Sequence, residues 1–310
     1  MKNIKIFYNP NSGQGDGKEI AQETKLALMA QNIPEKAIEI IAPEDEKDAI
    51  QQAKIASQDG TDLVVILGGD GSINKISGGL FEGHYQGKIG IIPTGTINNF
   101  AQALHIPLDK ETAIATLSNS QDQCFDIAKV NNHYMLSSLT LGVLADLAEN
   151  VGAKDKRQLG VLAYISGLIK VIKHYKRYPI RLEYDDQVIH LKSRLLLITM
   201  TPMIAGQASF DPNAEIDDGL MRIYSLKKIN LIKLFLHFFQ LKQGNFENLQ
   251  EMSYFKTHQV SIKNDSRRGH KAPKSRIDGD KSDFLPLTIT VHQKALTALI
   301  PKTDEKKNLL

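Results

Sequence analysis

Residues 63–80 read LVVILGGDGSINKISGGL. An apolar run centred on Val64, Val65 and Ile66 is the pattern of a strand buried on both faces, and it stops at Gly68-Gly69-Asp70-Gly71-Ser72. A helix through Leu80 follows. Glycines in such a turn let the backbone bend sharply and approach a phosphate, with amides as donors. A helix beginning near Ser72 would add its N-terminal field to an anion site. Asp70 cannot donate to a phosphate; it suits holding Mg²⁺ or orienting a catalytic group. A tight structural turn would use the same residues, and spacing alone does not separate the two readings. The loop is neither GxxxxGK[ST] nor GxGxxG, and Gly13-Gln-Gly15-Asp-Gly17-Lys18 lacks the serine or threonine that should follow the lysine.

Working outward, the first half alternates strand and helix. Strands are expected at Lys2–Tyr8, Ala37–Ile41, Leu63–Leu67 and Ile89–Ile92, with helices over Lys18–Ala30 and Asp45–Gln58 and another after Ile92. That alternation predicts a mostly parallel sheet covered on both faces, whose ligands sit beyond the carboxyl ends of the strands. Three turns fall there: Asn9 to Gly13 with Ser12, Gly68 to Ser72, and Thr94-Gly95-Thr96. Each turn alone is a weak signal, and their convergence predicts a nucleotide site.

After about Asp126 the pattern changes. Val130–Tyr134, Met135–Thr140, Ile180–Tyr184, Val188–His190, Leu195–Met200, Met221–Ser225, His258–Ile262 and Leu287–Val291 read as short strands of an antiparallel domain. Helices are expected over Leu159–Ile172 and Ile229–Leu241. Asp217-Asp218-Gly219 suits a turn, a hard-cation site, or both. Asp278-Gly279-Asp280 reads as a hairpin turn or as a general base facing the nucleotide site.

The 310 residues suffice for about two domains. A formal net charge of +3 is too small for a nucleic-acid coat, and no nucleic-acid motif occurs. The lone Cys124 excludes an internal disulfide and a cysteine cluster, in keeping with a reducing, cytoplasmic setting. No apolar run reaches the 18 residues or so of a membrane span, the N-terminus is not a signal peptide, and neither HExxH nor GxSxG is present. The basic excess falls late: ten Lys or Arg against four acidic residues over 154–194, and eight against three over 256–281. Such stretches favour anionic lipid surfaces or phosphates, or simply a solvated basic face.

In their order, these motifs resemble the diacylglycerol-kinase catalytic superfamily, in its soluble bacterial lipid-kinase branch, which is also similar to sphingosine kinases. The resemblance rests on Asn9–Gly13, Gly68–Leu80, Ile89–Pro107, Lys156–Gly167, Asp217–Ile223 and Ile277–Asp280. It implies an α/β fold of two domains: a Rossmann-like ATP-binding domain over 1–127 and an antiparallel β-sandwich lipid domain over 128–293, with 294–310 returning to the first. It implies transfer of the γ-phosphoryl of ATP to a lipid hydroxyl, diacylglycerol giving phosphatidic acid. Asn9, Ser12, Gly13, Gly68, Gly69, Asp70, Gly71, Ser72, Asn74, Gly95 and Thr96 would hold the nucleotide. Asp278 would be the general base, supported by Asp70 and Asp280, and Asp218 would ligate a structural Mg²⁺ with carbonyls near Glu215 and Leu220. Contact with an anionic membrane at the inner face of the cell membrane, and self-association as a homodimer, are further expectations. The chain departs from the family pattern at Lys75, Ile97, Asn99 and Asp280, and in the Ile40–Pro43 region. These departures keep alternatives in view: an inactive nucleotide- or lipid-binding regulator, or a kinase for another lipid alcohol or for NAD.

Overall fold

The computed structural model describes residues 3–10, 15–142, 177–203, 211, 213–226, 252–266 and 273–302. The segment 156–167 and the helices expected over 159–172 and 229–241 lie outside the described residues, as do Ser12 and Gly13.

The first part is the expected alternation. Strands β1 (Ile4–Tyr8), β2 (Ile38–Ile41), β3 (Leu63–Gly68) and β4 (Lys88–Pro93) are all parallel, in the order β2-β1-β3-β4. Helices α1 (Gly17–Met29), α2 (Glu46–Gln58), α3 (Asp70–Glu82), α4 (Asn99–Ala103) and α5 (Lys110–Thr116) connect or follow them. All of β3 is buried, as both-face burial of an unbroken apolar run requires. Each large aliphatic side chain so buried contributes roughly 1.5–3 kcal/mol. Because β1 has β2 on one side and β3 on the other, the chain leaves in opposite directions there. That switch point opens a crevice beyond the carboxyl ends of the strands.

The second part carries two antiparallel layers. One is a six-stranded sheet among the described residues: β12 (Met252–Thr257), β11 (Met221–Leu226), β10 (Leu195–Thr199), β7 (Ser138–Gly142), β14 (Lys274–Ile277) and β15 (Asp280–Phe284). The other is formed by β13 (Gln259–Asn264), β8 (Tyr178–Tyr184) and β9 (Gln187–Ser193), with parts of β5 (Ser120–Val130), β6 (His133–Met135) and β16 (Leu287–Pro301). Leu139, Leu141, Ile198 and Ile223 from the first layer meet Ile180, Leu182, Val260, Ile262 and Ile289 from the second in one core.

Two long strands join the parts. β16 pairs with β13 early in its course and lies parallel to β4 at Thr297 and Ala298. Its antiparallel partner β5 accompanies it from Val130 to Ser120, with a register shift between His292 and Leu296. The parallel strands of the first part and β13, β8 and β9 of the second therefore lie in one sheet. β5 was not expected from sequence. Its first half, Ser-Gln-Asp-Gln, has no apolar periodicity, and it pairs in the sheet because β16 offers an edge.

Candidate active site

A cleft of about 540 Å³ opens at the switch point, lined among others by Tyr8 at the end of β1 and Asn9 after it, Glu44 to Glu46 after β2, Gly69 before α3, Gly71, Ser72 and Lys75 on α3, Gly95 after β4, and Asp280. Its floor is backbone. A Cβ on Gly95 would lie 2.6 Å from the Cα of Gly69 and equally close to Asn98 Oδ1, so the two glycine loops touch with no room for a side chain. No side chain caps α3, whose first turn faces the cleft at Gly71 and Ser72. Backbone donors and a helix N-terminus beside an open volume suit a phosphate chain.

Asp70, the first residue of α3, turns its carboxylate toward α4, where it accepts the amides of Asn99 (3.0 Å) and Phe100 (3.0 Å). Asn98, buried and left-handed, accepts from the Gly95 amide (3.0 Å) and donates to the Gly95 carbonyl (2.8 Å). The loop after β4 is thus clamped from both sides. Because position 99 serves Asp70 through its backbone amide, an asparagine there keeps that bond.

Asp278 sits in a part-exposed turn with its carboxylate turned inward. One oxygen accepts from the amides of Ser137 (2.9 Å) and Ser138 (2.7 Å), the other from Leu136 (2.8 Å) and from the Asn74 side chain (2.7 Å). Four donors occupy the roughly four lone-pair positions of a carboxylate. Burial pushes this carboxyl up, against the lowering effect of those donors. Asn74 also donates to the Tyr134 carbonyl (2.7 Å), so α3, the β6–β7 corner and the β14–β15 turn meet at one buried knot. Two residues on, Asp280 is exposed, and its Oδ2 lies 3.0 Å from where a Gly71 Cβ would be. No donor among the described residues reaches its carboxylate. Burial raises its pKa first, Lys75 and Arg276 pull it down, and Glu46 raises it. Lys75 pairs with Glu46 at 3.2 Å on the same wall.

With this geometry in hand, the relatives are informative. The family description "Diacylglycerol kinase catalytic domain" matches residues 3–130, and "YegS C-terminal NAD kinase beta sandwich-like domain" matches 137–300. A Bacillus subtilis (strain 168) protein called diacylglycerol kinase is 30% identical over 305 residues, 97% of each chain. The chain belongs to the diacylglycerol kinase catalytic family. It is an ATP-dependent lipid kinase. A Staphylococcus epidermidis relative called diacylglycerol kinase is 28% identical over 309 residues, covering all of this chain and 95% of its own. A crystal structure described as that of a diacylglycerol kinase from Bacillus anthracis str. Sterne shares the fold, with a TM-score of 0.77 and 23% identity over 98% of both chains.

Of the nucleotide residues that the family resemblance assigned, Asn9, Gly69, Gly71, Ser72 and Gly95 line the cleft. Gly68 ends β3, its carbonyl accepting from Thr94 (3.1 Å), and Thr96 lies on the exposed loop beyond. Asn74 and Asp70 brace the loops around the cleft and are not among its lining residues. Asn98 and Lys75 were not read as site residues; the left-handed turn at Asn98 and the packing of α2 against α3 give them their places.

The structural Mg²⁺ expected at Asp218, Glu215 and Leu220 does not fit what surrounds them. The Asp218 carboxylate is bonded on one oxygen by the Arg222 guanidinium and on the other by the Leu220 amide (3.0 Å). The Leu220 carbonyl accepts from the same guanidinium (3.4 Å), and Glu215 is exposed. A permanent cation already holds the Asp218 and Leu220 oxygens, and a divalent ion beside it would be repelled.

Proposed function

We propose that this lipid kinase phosphorylates diacylglycerol to phosphatidic acid, using ATP with Mg²⁺ at an anionic membrane surface. The observation that carries the reading is the cleft itself, walled by Gly69, Gly71 and Gly95, with the carboxylate of Asp280 at its lip unbonded among the described residues. The names of the full-length relatives support the acceptor. Phosphoryl transfer needs positioning and charge neutralisation more than covalent chemistry. Asp280 accepts the proton of the lipid hydroxyl as its oxygen bonds the γ-phosphorus, the bond to the β–γ bridging oxygen breaks, and ADP leaves.

This reading moves the base from Asp278, which the resemblance implies, to Asp280: four donors make Asp278 the anchor of the turn, and Asp280 lies at the cleft. Burial, and secondarily the Asp280 charge, hold the Asp70 carboxyl above its usual range after its two amide bonds are allowed for. Asp70 and Asp280 repel each other beside the cleft, and this pair would hold the Mg²⁺ carried with ATP, which would neutralise phosphate charge. The basic residues of the second part, Arg177, Arg181, Lys192 and Arg194 among those described, support docking on anionic lipid. Among the described residues no helix is long and apolar enough to cross a membrane.

The test is incubation with γ-labelled ATP, Mg²⁺ and mixed micelles carrying diacylglycerol, other lipid alcohols, or NAD. Labelled phosphatidic acid is expected. A different labelled product replaces the acceptor, and ATP binding with no labelled product in micelles that serve another lipid kinase overturns the reading in favour of a regulator. Asp280→Asn is expected to lower kcat by about 10²–10⁴-fold with thermal stability unchanged. Asp278→Asn should lose stability as well, because an amide leaves buried N–H donors unmatched, at roughly 1–3 kcal/mol each. If Asp280→Asn transfers phosphate normally, Asp280 is not the base.

A further inference from the structure

The loop leading into β11 is built around a buried arginine. Arg222 is 1% exposed, among the largest fully buried side chains of the described residues. Its guanidinium donates to the Asn213 carbonyl (3.0 Å), the Leu220 carbonyl (3.4 Å) and the Asp218 carboxylate, and its Nε faces Asp211 at 3.5 Å. Asp211, also buried, accepts from the hydroxyls of Tyr224 (2.7 Å) and Tyr254 (3.1 Å). Two carboxylates and two carbonyls around one cation are the hard-oxygen type of set that a divalent ion takes, and here they surround a guanidinium.

What the loop holds explains why its rigidity matters. The Ile216 carbonyl accepts from the Asp126 amide (2.8 Å), and the Gly219 amide donates back to the Asp126 carboxylate (2.6 Å). The other oxygen of Asp126 accepts from the Lys294 amide (2.7 Å), and Gln293 donates to the Asp217 carbonyl (3.1 Å). Asp126 lies on β5 and Gln293 and Lys294 on β16, where these shared strands cross from one part to the other. The loop therefore staples the β-sandwich to the two strands that the parts of the molecule share.

We infer that Arg222 is the resident cation of this loop, binding the oxygens a divalent ion would otherwise collect, so that the brace between the two parts of the molecule is independent of metal. This stands apart from the lipid-acceptor reading and is tested without turnover.

The measurement is thermal unfolding and elemental metal analysis of nucleotide-free protein, after EDTA treatment and dialysis, with and without millimolar Mg²⁺. Wild type should retain no stoichiometric divalent ion and should unfold at the same temperature in both conditions. Arg222→Ala should unfold at a lower temperature in EDTA and regain about 5 °C on Mg²⁺ addition, since a ligand binding only the folded state raises its stability. Adding Asp218→Asn to that variant should abolish the Mg²⁺ effect. The inference is overturned if wild type keeps one ion per chain, or if it shows a Mg²⁺ shift that Asp218→Asn removes. It is equally overturned if Arg222→Ala folds and Mg²⁺ restores nothing. Should Arg222→Ala fail to fold, the metal content of wild type decides alone.

Discussion

Gly95 tolerates no Cβ without backbone movement, because the atoms that it would strike are the Gly69 Cα and the clamped Asn98 side-chain oxygen. Gly95→Ala should cost about 1–3 kcal/mol of stability through overpacking. It should also weaken ATP by about tenfold, the equivalent of ~1.4 kcal/mol, as the β4 loop is pushed over the cleft. Calorimetric titration with ATP, alongside thermal unfolding, checks both; an unchanged Kd would remove Gly95 from the nucleotide site. The glycines were legible because their chemistry is local, a turn and a close approach. The surroundings of Asp278 and Asp280 were not. Both look alike in a DGD triplet, and only the fold shows that one meets three amides of the β6–β7 corner while the other meets solvent.

Helix α3 carries the cleft on its first turn and is packed hard along its length. A Cβ on Gly78 would fall 2.4 Å from the Tyr134 ring, which is held by a hydrogen bond to Glu82 (2.8 Å) and an edge contact with Phe81. Gly78→Ala gains about 1 kcal/mol of helix propensity and loses about 1–3 kcal/mol to overpacking. Packing wins, so a net loss in urea unfolding is expected; a gain would mean that the Tyr134 ring gives way freely. On the neighbouring β16, His292 lies 4.7 Å from the Phe81 ring. Burial, and then the Lys129 charge, hold its imidazole below the ordinary value. The folded state therefore binds fewer protons than the unfolded one, and the contribution is present above the ordinary imidazole pKa and lost as pH falls through the folded value. His292→Phe should flatten the part of the stability–pH curve just below neutrality, and an unaltered slope would show that His292 does not cause it. Elements with strong local pattern, such as β3 and α2, were read to within a residue or two. The hairpin of β14 and β15 was visible only as a turn, because its strands are polar and are stabilised by pairing with β7.

At the scale of the whole molecule, β5 and β16 make one sheet of what the sequence divides into two domains. The two parts should therefore unfold together. Calorimetry and tyrosine absorbance should give one coincident transition, and a fragment ending at residue 130 should fail to unfold cooperatively, because β4 and β5 lose β16 as their partner. Two separated transitions would refute the coupling. The sequence by itself determined the parallel α/β half, the order of its phosphate-facing turns and the family, since these rest on local periodicity, glycine-dependent turns and short motifs that act within a few residues. Tertiary structure alone decided which carboxylate of the DGD triplet is buried and bonded, that Arg222 pairs with Asp218 in the loop expected to hold a metal, and that strands distant in sequence cross between the parts. Hydrogen-bond saturation, burial and sheet pairing are contacts between residues up to 204 positions apart, as Asn74 and Asp278 are, and no local pattern records them.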